Sequence, residues 1–228
     1  MADTAKFPID KYHFRRNSIF EDLPKDEDDV LKSILTLKEL KKGDTVFVEG
    51  SYPSGIFYVI EGKIKKFKVD KDGREFIVYI CGKGELLGHT ALLCDEPFSD
   101  SAKVLEKSII GHITKKDFLN FVDKSTVLSR RLIKNLSHEF AVLENNILSL
   151  SHKTVKERLA LNLLILKDKY NAENEIILSR EDLANVIGTA IETLARMLTE
   201  LKNEEIIKIE GRRIKILNAD KLLTIANL

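Results

Sequence analysis

Residues 179–216 read S-R-E-D-L-A-N-V-I-G-T-A-I-E-T-L-A-R-M-L-T-E-L-K-N-E-E-I-I-K-I-E-G-R-R-I-K-I, and their reading decides the carboxy-terminal architecture. Ser179 precedes a helical run and has Asp182 three residues on, which predicts an N-capped helix over 179–187. Gly188 ends it, where left-handed backbone is commonly required. Residues 191–202 are again helix-periodic, and 206–217 alternate on both sides of E-G-R-R, a hairpin pattern. Two short helices joined by a three-residue turn containing glycine, then a hairpin, describe a winged helix-turn-helix.

Working towards the amino terminus, V-K-E-R-L-A-L-N-L-L-I-L-K (155–167) reads as an amphipathic helix. Before it, Ile133, Leu136, Phe140, Leu143, Ile147 and Leu150 recur at spacings of 3, 4, 3, 4, 3. Such a stripe fits a helix packed on its own core, or a parallel dimer seam. Its narrowness favours the seam, because His138, Glu139, Glu144, Asn145 and Asn146 fill the flanks. No glycine occurs between Gly111 and Gly188, whereas nine of the eleven glycines and all four prolines lie in the first half. There, short alternating runs (T-V-F-V-E, I-F-Y-V-I, K-I-K-K-F-K-V, E-F-I-V-Y-I, S-I-I-G-H-I) are separated by turns such as K-D-G-R, which predicts an antiparallel β-roll or sandwich. The expected class is α+β: a roll over 1–113, a long dimerisation helix and linker over 114–152, and a winged helix-turn-helix over 153–228.

Composition narrows the function. The 228 residues carry a net charge of +1, and residues 151–228 hold 13 Lys/Arg against 12 Asp/Glu. Any DNA-binding surface must therefore arise from local placement of charge. Cys81 and Cys94 cannot supply a four-cysteine cluster site, and two lone thiols point to a reducing cytoplasm. The first ten residues lack an apolar leader, and no run approaches the roughly 18 apolar residues of a membrane helix. No nucleophile triad, P-loop or dinucleotide fingerprint is present. A metal enzyme on a cupin-type roll would need clustered histidines, and His89 and His112 are isolated. An enzyme is not expected.

In a helix-turn-helix the second helix puts its first side chains into the major groove. Here these are Ile191, Glu192, Ala195 and Arg196. Arg can bond O6 and N7 of guanine while Glu accepts from N4 of cytosine, so the pair can read a G·C step. The competing interpretation is structural: Thr189–Glu192 spells a T-x-x-E capping box, and Glu192–Arg196 spells a surface ion pair. Candidate phosphate contacts are Ser179, Thr189 and Thr193, with Lys208, Arg212, Arg213 and Lys215 on the wing.

The 179–216 segment closely resembles the carboxy-terminal domain of the CRP/FNR superfamily of bacterial transcription regulators, whose reading helix carries R-E-T-[VIL]-[GSA]-R, or V-E-T-I-S-R in the oxygen-sensing branch. This chain has I-E-T-L-A-R. The resemblance implies base-reading roles for Glu192 and Arg196. Ile191 stands where the cyclic-AMP branch has an Arg, and Ala195 departs from the Ser of the oxygen-sensing type. It also implies a homodimer on a palindromic double-stranded site, with RNA polymerase as a partner.

The resemblance extends from about Ser18 through S-I-F-E-D-L-P, K-K-G-D-T-V-F-V-E-G and G-K-G-E-L-L-G, which look like the family's cyclic-nucleotide-binding roll. It implies an effector pocket at Gly84, Glu85, Gly88, His89, Thr90, Asp100 and Ser101. Nucleotide-binding members carry a Glu where His89 stands, and an Arg where Asp100 (or Ser99, with the gap placed differently) stands. An acid beside a cyclic phosphate is repulsive, so cyclic AMP is not the expected effector. The cysteines of the oxygen-sensing branch are absent too. The effector remains unassigned; a haem held by residues among His89, His112, Cys81 and Cys94 is the remaining cofactor alternative.

Overall fold

The computed structural model describes residues 11–12, 18–170 and 175–228, so the leader reading of residues 1–10 falls outside it. The chain forms two compact units, Arg15–Ser137 and His138–Leu228 together with the described residues 11 and 12.

The first unit runs α1 (Lys25–Ile34), β1 (Thr36–Leu40), β2 (Thr45–Phe47), β3 (Gly55–Glu61), β4 (Ile64–Val69), β5 (Glu75–Cys81), β6 (Leu86–Leu87), α2 (His89–Cys94), β7 (Ser101–Val104), β8 (Ser108–Thr114), α3 (Lys115–Lys124) and the start of α4 (Thr126–His152). The strands form two four-stranded antiparallel sheets, ordered β1-β8-β3-β6 and β2-β7-β4-β5. This is the expected roll, with three strands the alternation did not announce. β6 is two residues long, β7 four, and β1 is an edge strand exposed over most of its length. The K-D-G-R turn is set by Asp70, whose carboxylate accepts from the backbone N–H of Asp72 (2.8 Å) and Arg74 (2.9 Å). Inside the roll Phe47, Val59, Ile64, Leu87, Phe98, Ala102, Val104 and Ile110 form one core. A second core gathers Ile56 and Ile113 with Phe118 and Phe121 of α3 and Leu128 and Leu132 of α4.

Residues 114–152, read as a long dimerisation helix and linker, hold two helices, α3 and α4. Ser125, in extended conformation, ends α3; its hydroxyl accepts from the N–H of Leu128 (2.9 Å) and donates to Glu27 (2.7 Å). One side chain thus caps the next helix at the point where the previous one stops. The boundary between the two units falls inside α4, between Ser137 and His138.

The second unit adds α5 (Val155–Tyr170), β9 (Glu175–Ile177), α6 (Arg180–Ile187), α7 (Ile191–Asn203), β10 (Ile207–Glu210), β11 (Arg213–Ile216) and α8 (Ala219–Ile225). The hairpin β10–β11 gains β9 on its other edge, for a sheet of order β10-β11-β9. Helix α5 is not amphipathic in the expected sense: Leu159, Ala160, Leu161, Leu163, Leu164 and Leu166 are all buried, because α6, α7, α8 and β9 pack around it. Among the described residues no helix is long and apolar enough to cross a membrane.

Ser179 caps α6, its hydroxyl accepting from the N–H of Asp182 at 2.9 Å. Ser179→Ala should lower unfolding stability by about 1 kcal/mol. Ser179→Asp, which keeps an acceptor, should stay near wild type; urea unfolding of both variants checks this.

Candidate nucleic-acid interface and the pocket of the roll

Helix α7 owes its two faces to sequence period. Leu194, Leu198 and Leu201 are buried, while Ile191, Glu192, Ala195, Arg196 and Thr199 lie along the exposed side. The entry is a turn of three residues, Gly188–Thr189–Ala190, with Gly188 at φ 69° closing α6. The capping-box alternative is not formed. Ala190 occupies the N-cap and offers no side-chain bond, and Glu192 is the second helical residue. Among the described residues neither Glu192 nor Arg196 has an ion-pair or hydrogen-bond partner for its side chain. Both long polar side chains therefore stand free on one exposed face, four residues apart.

The residues expected at phosphates are placed unequally. Thr189 and Thr193 are half-buried. The Ser179 hydroxyl is engaged at both ends, since it also donates to Asp182 (2.6 Å). On the wing, Lys208 meets Glu210 at 2.6 Å and Arg213 meets Glu175 at 3.3 Å. The Glu210 carboxylate raises the pKa of Lys208 and is itself lowered by it. Arg212 and Lys215 are exposed and have no such acid contact among the described residues. The hairpin tip is tied to the start of α6 by Arg180, which donates to the Gly211 carbonyl at 2.9 Å. Nothing in the sequence reading singled out Arg180; the available signal was a basic residue directly after an N-cap. Thr199 was missed as well, although it continues the 192–195–196 stripe by one further turn.

The residues that the resemblance placed in the pocket have unequal surroundings. Thr90 is exposed. Glu85 is buried, but its carboxylate accepts from the Tyr79 hydroxyl and from the N–H of Gly82 (2.6 Å), closing its own turn. Gly84 lies in the same turn, its N–H donating to the Val59 carbonyl. Ser101 accepts from the N–H of Glu49 at 3.0 Å. His89 is buried at the start of α2. Gly88, at φ 83°, leaves room for Phe98, whose ring would meet any added Cβ at 3.0 Å.

The buried Asp100 is not an isolated negative charge: it meets Lys66 of β4 at 3.1 Å. Lys66 lies opposite Ala102 in the register and two residues from Ile64, and Ile64 and Ala102 both belong to the inner core, so strand parity turns Lys66 inward. The signal was legible: in K-I-K-K-F-K, Lys66 shares the parity of apolar Ile64. Beside this pair Phe47 stacks on Phe98 at 3.9 Å between centroids, with Phe57 at 6.1 Å from Phe47. Asp100 is thus one half of an ion pair rather than a bare negative charge.

The donor set offers a cyclic phosphate no unengaged cation at Lys66, which is held by Asp100. Nor does it suit an iron–sulfur cluster, for the sequence has two cysteines, Cys81 buried and Cys94 exposed. Of the haem candidates, His112 lies against the Phe57 ring at 5.1 Å, where burial pulls its pKa down from the usual value. Among the described residues no group of three or more His, Cys, Asp or Glu is placed to hold a metal ion.

Comparison with known proteins agrees with both halves. The cyclic nucleotide-binding domain family matches residues 37–125, and the Crp-like helix-turn-helix domain family matches residues 157–225. The fumarate and nitrate reduction regulatory protein of Vibrio cholerae is 28% identical over 213 residues, covering 90% of this chain and 85% of its own. The transcriptional activator protein anr of Pseudomonas aeruginosa is 28% identical over 195 residues, 83% of this chain and 80% of its own. In fold, the structure of FixK2 from Bradyrhizobium japonicum superposes with a TM-score of 0.78 over 84% of this chain and 97% of that one, at 22% identity. With an antiparallel roll, a long helix and a winged helix-turn-helix in that order, the chain belongs to the CRP/FNR superfamily and is a DNA-binding transcription regulator.

Proposed function

We propose that this regulator works as a homodimer on a palindromic DNA site, reads a G·C pair in each half-site with Glu192 and Arg196, and answers to an effector other than cyclic AMP. The observation that carries the reading is the pair of unpartnered side chains on the exposed face of α7. An ion-paired Glu–Arg couple would have to break before either could bond a base. Free, each can form a charge-assisted contact in the major groove, while exposed Ile191 (44%) offers an apolar surface to a thymine methyl. Arg212 and Lys215 on the wing, with Lys208, Arg213, Ser179, Thr189 and Thr193 around them, would position the protein on phosphates. RNA polymerase would be the partner at a promoter, and the cytoplasm the compartment.

The dimer rests on α4. Ile133 (65% exposed), Phe140 (64%) and Ile147 (64%) stand out with Leu143 and Leu150, while Leu136 packs partly against the first unit's core. Burying such a side chain contributes about 1.5–3 kcal/mol. Five per helix, contributed twice, are of the size needed to offset the roughly 4–15 kcal/mol lost on association. Phe140→Glu with Leu143→Glu should give monomers by sedimentation and weaken DNA binding. A wild-type chain that sediments as a monomer at micromolar concentration would sink the dimer.

A cyclic phosphate entering the roll would have to take Lys66 from Asp100 and leave a buried carboxylate unpaired, a costly outcome. Millimolar cyclic AMP should therefore leave the unfolding midpoint where it is, since any ligand favouring the folded state must raise it. An upward shift would restore the nucleotide-dependent alternative.

The base-reading assignment is tested by binding-site selection with wild type, Glu192→Gln and Arg196→Ala. The half-site centres should lie about one helical turn, roughly 34 Å, apart. Arg196→Ala should relax the preference at the guanine by about 1–3 kcal/mol. Lys215→Ala should weaken all sequences alike and reduce the salt slope by about one. Identical motifs with identical stringency from all three selected proteins would place the reading on other residues.

A further inference from the structure

The short passage from α4 into α5 reaches, within the second unit, α6, α7 and the end of α8. Arg158, in the first turn of α5, donates from Nε to the carbonyl of Ile187 (2.9 Å), and from its two terminal nitrogens to those of Gly188 (3.1 Å) and Lys153 (2.8 Å). Ile187 is the last residue of α6 and Gly188 its C-cap, where carbonyls have no donor within their own helix. The N–H groups of Gly188 and Thr189 both return to the carbonyl of Ala184. The donors of the turn are thus held by α6 and its acceptors by Arg158, three residues before Ile191. Two turns further along α7, Lys156 of the same α5 turn meets Glu204 at 2.9 Å and Glu200 at 3.5 Å. Lys153, whose carbonyl Arg158 holds, places its own ammonium on the carbonyl of Ala226 beyond α8 (2.6 Å).

We propose that Arg158 is the positioning residue of the reading helix: it fixes the direction in which α7 leaves the turn, relative to α5 and the end of α4, and so sets base specificity without touching DNA. The inference rests on Glu192 and Arg196 reading bases. A guanidinium suits the task because its rigid, planar fork serves three carbonyls at once, whereas an ammonium on a flexible stem is a single point donor. Small errors at the turn are amplified along α7. Glu192 and Arg196 lie one and five residues past its start, and a bidentate base contact tolerates little misplacement.

The experiment uses the full chain as wild type, Arg158→Lys and Arg158→Ala. The probes are the duplex most enriched by wild type from a randomised pool and a shuffled duplex of the same composition. The ratio of their dissociation constants is measured at one salt concentration, together with the unfolding midpoint. Arg158→Lys should lower the ratio about tenfold, the size of one displaced base contact. Its affinity for the shuffled duplex and its midpoint should stay near wild type. Combining it with Arg196→Ala should cost less than the two separate losses multiplied together, because both act through one set of base contacts. An unchanged ratio overturns the proposal. So does a joint fall of both affinities with the midpoint in Arg158→Lys and Arg158→Ala, which would make Arg158 a support of the fold alone. If wild type enriches no duplex, the base-reading assignment falls and this inference with it; if it enriches one and Arg158→Lys matches it, only the positioning role falls.

Discussion

Helix-end carbonyls and N–H groups that lack partners inside their own helix set the terms for this fold. At several breaks between elements a side chain supplies what the helix cannot. Ser125 does so between α3 and α4, Thr114 before α3, and Ser179 before α6. Where acceptors rather than donors are left over, arginine takes the role. Arg131 gathers the carbonyls of Ile19, Glu21 and Asp22, and Arg158 those of Lys153, Ile187 and Gly188. The apolar cores give the two units their stability, but these polar closures mark the residues at which α3, α4 and α6 start. For a DNA-binding regulator, that residue-level placement decides which side chains each helix presents.

Electrostatics follows the same economy. With nearly balanced charge, the second unit cannot rely on a general positive field. Acids instead tie down selected cations, Glu210 beside Lys208 and Glu175 beside Arg213 on the wing, Glu200 and Glu204 around Lys156 on α5. Arg196, Arg212 and Lys215 are left on exposed surface. Pairs this exposed contribute little to stability; what they change is which cations remain available to a polyanion.

The architecture was legible where local chemistry and period agree. Ser179, Gly188 and the alternation around E-G-R-R located the helix-turn-helix and its hairpin to within a residue, because cap, left-handed turn and strand parity are local properties. Where tertiary packing decides, the sequence was less informative. Apolar residues on every side of α5 read as an amphipathic pattern until four neighbouring elements enclose it. The break at Ser125 depends on Glu27, nearly a hundred residues away. The surroundings of Asp100 were less legible for a similar reason: its partner Lys66 comes from another strand, and only strand parity could have indicated it. Thr90, drawn in by adjacency along the chain, points out to solvent.

The Lys66–Asp100 pair also changes the arithmetic of sensing. A carboxylate carried by the same chain meets its lysine at an effective concentration set by the fold, in the millimolar range or above for short connections. A dissolved phosphate ester at micromolar level enters that contest about a thousandfold behind, before any contact with the rest of the roll is counted. The anion in this pocket is therefore encoded in the gene and constant in supply.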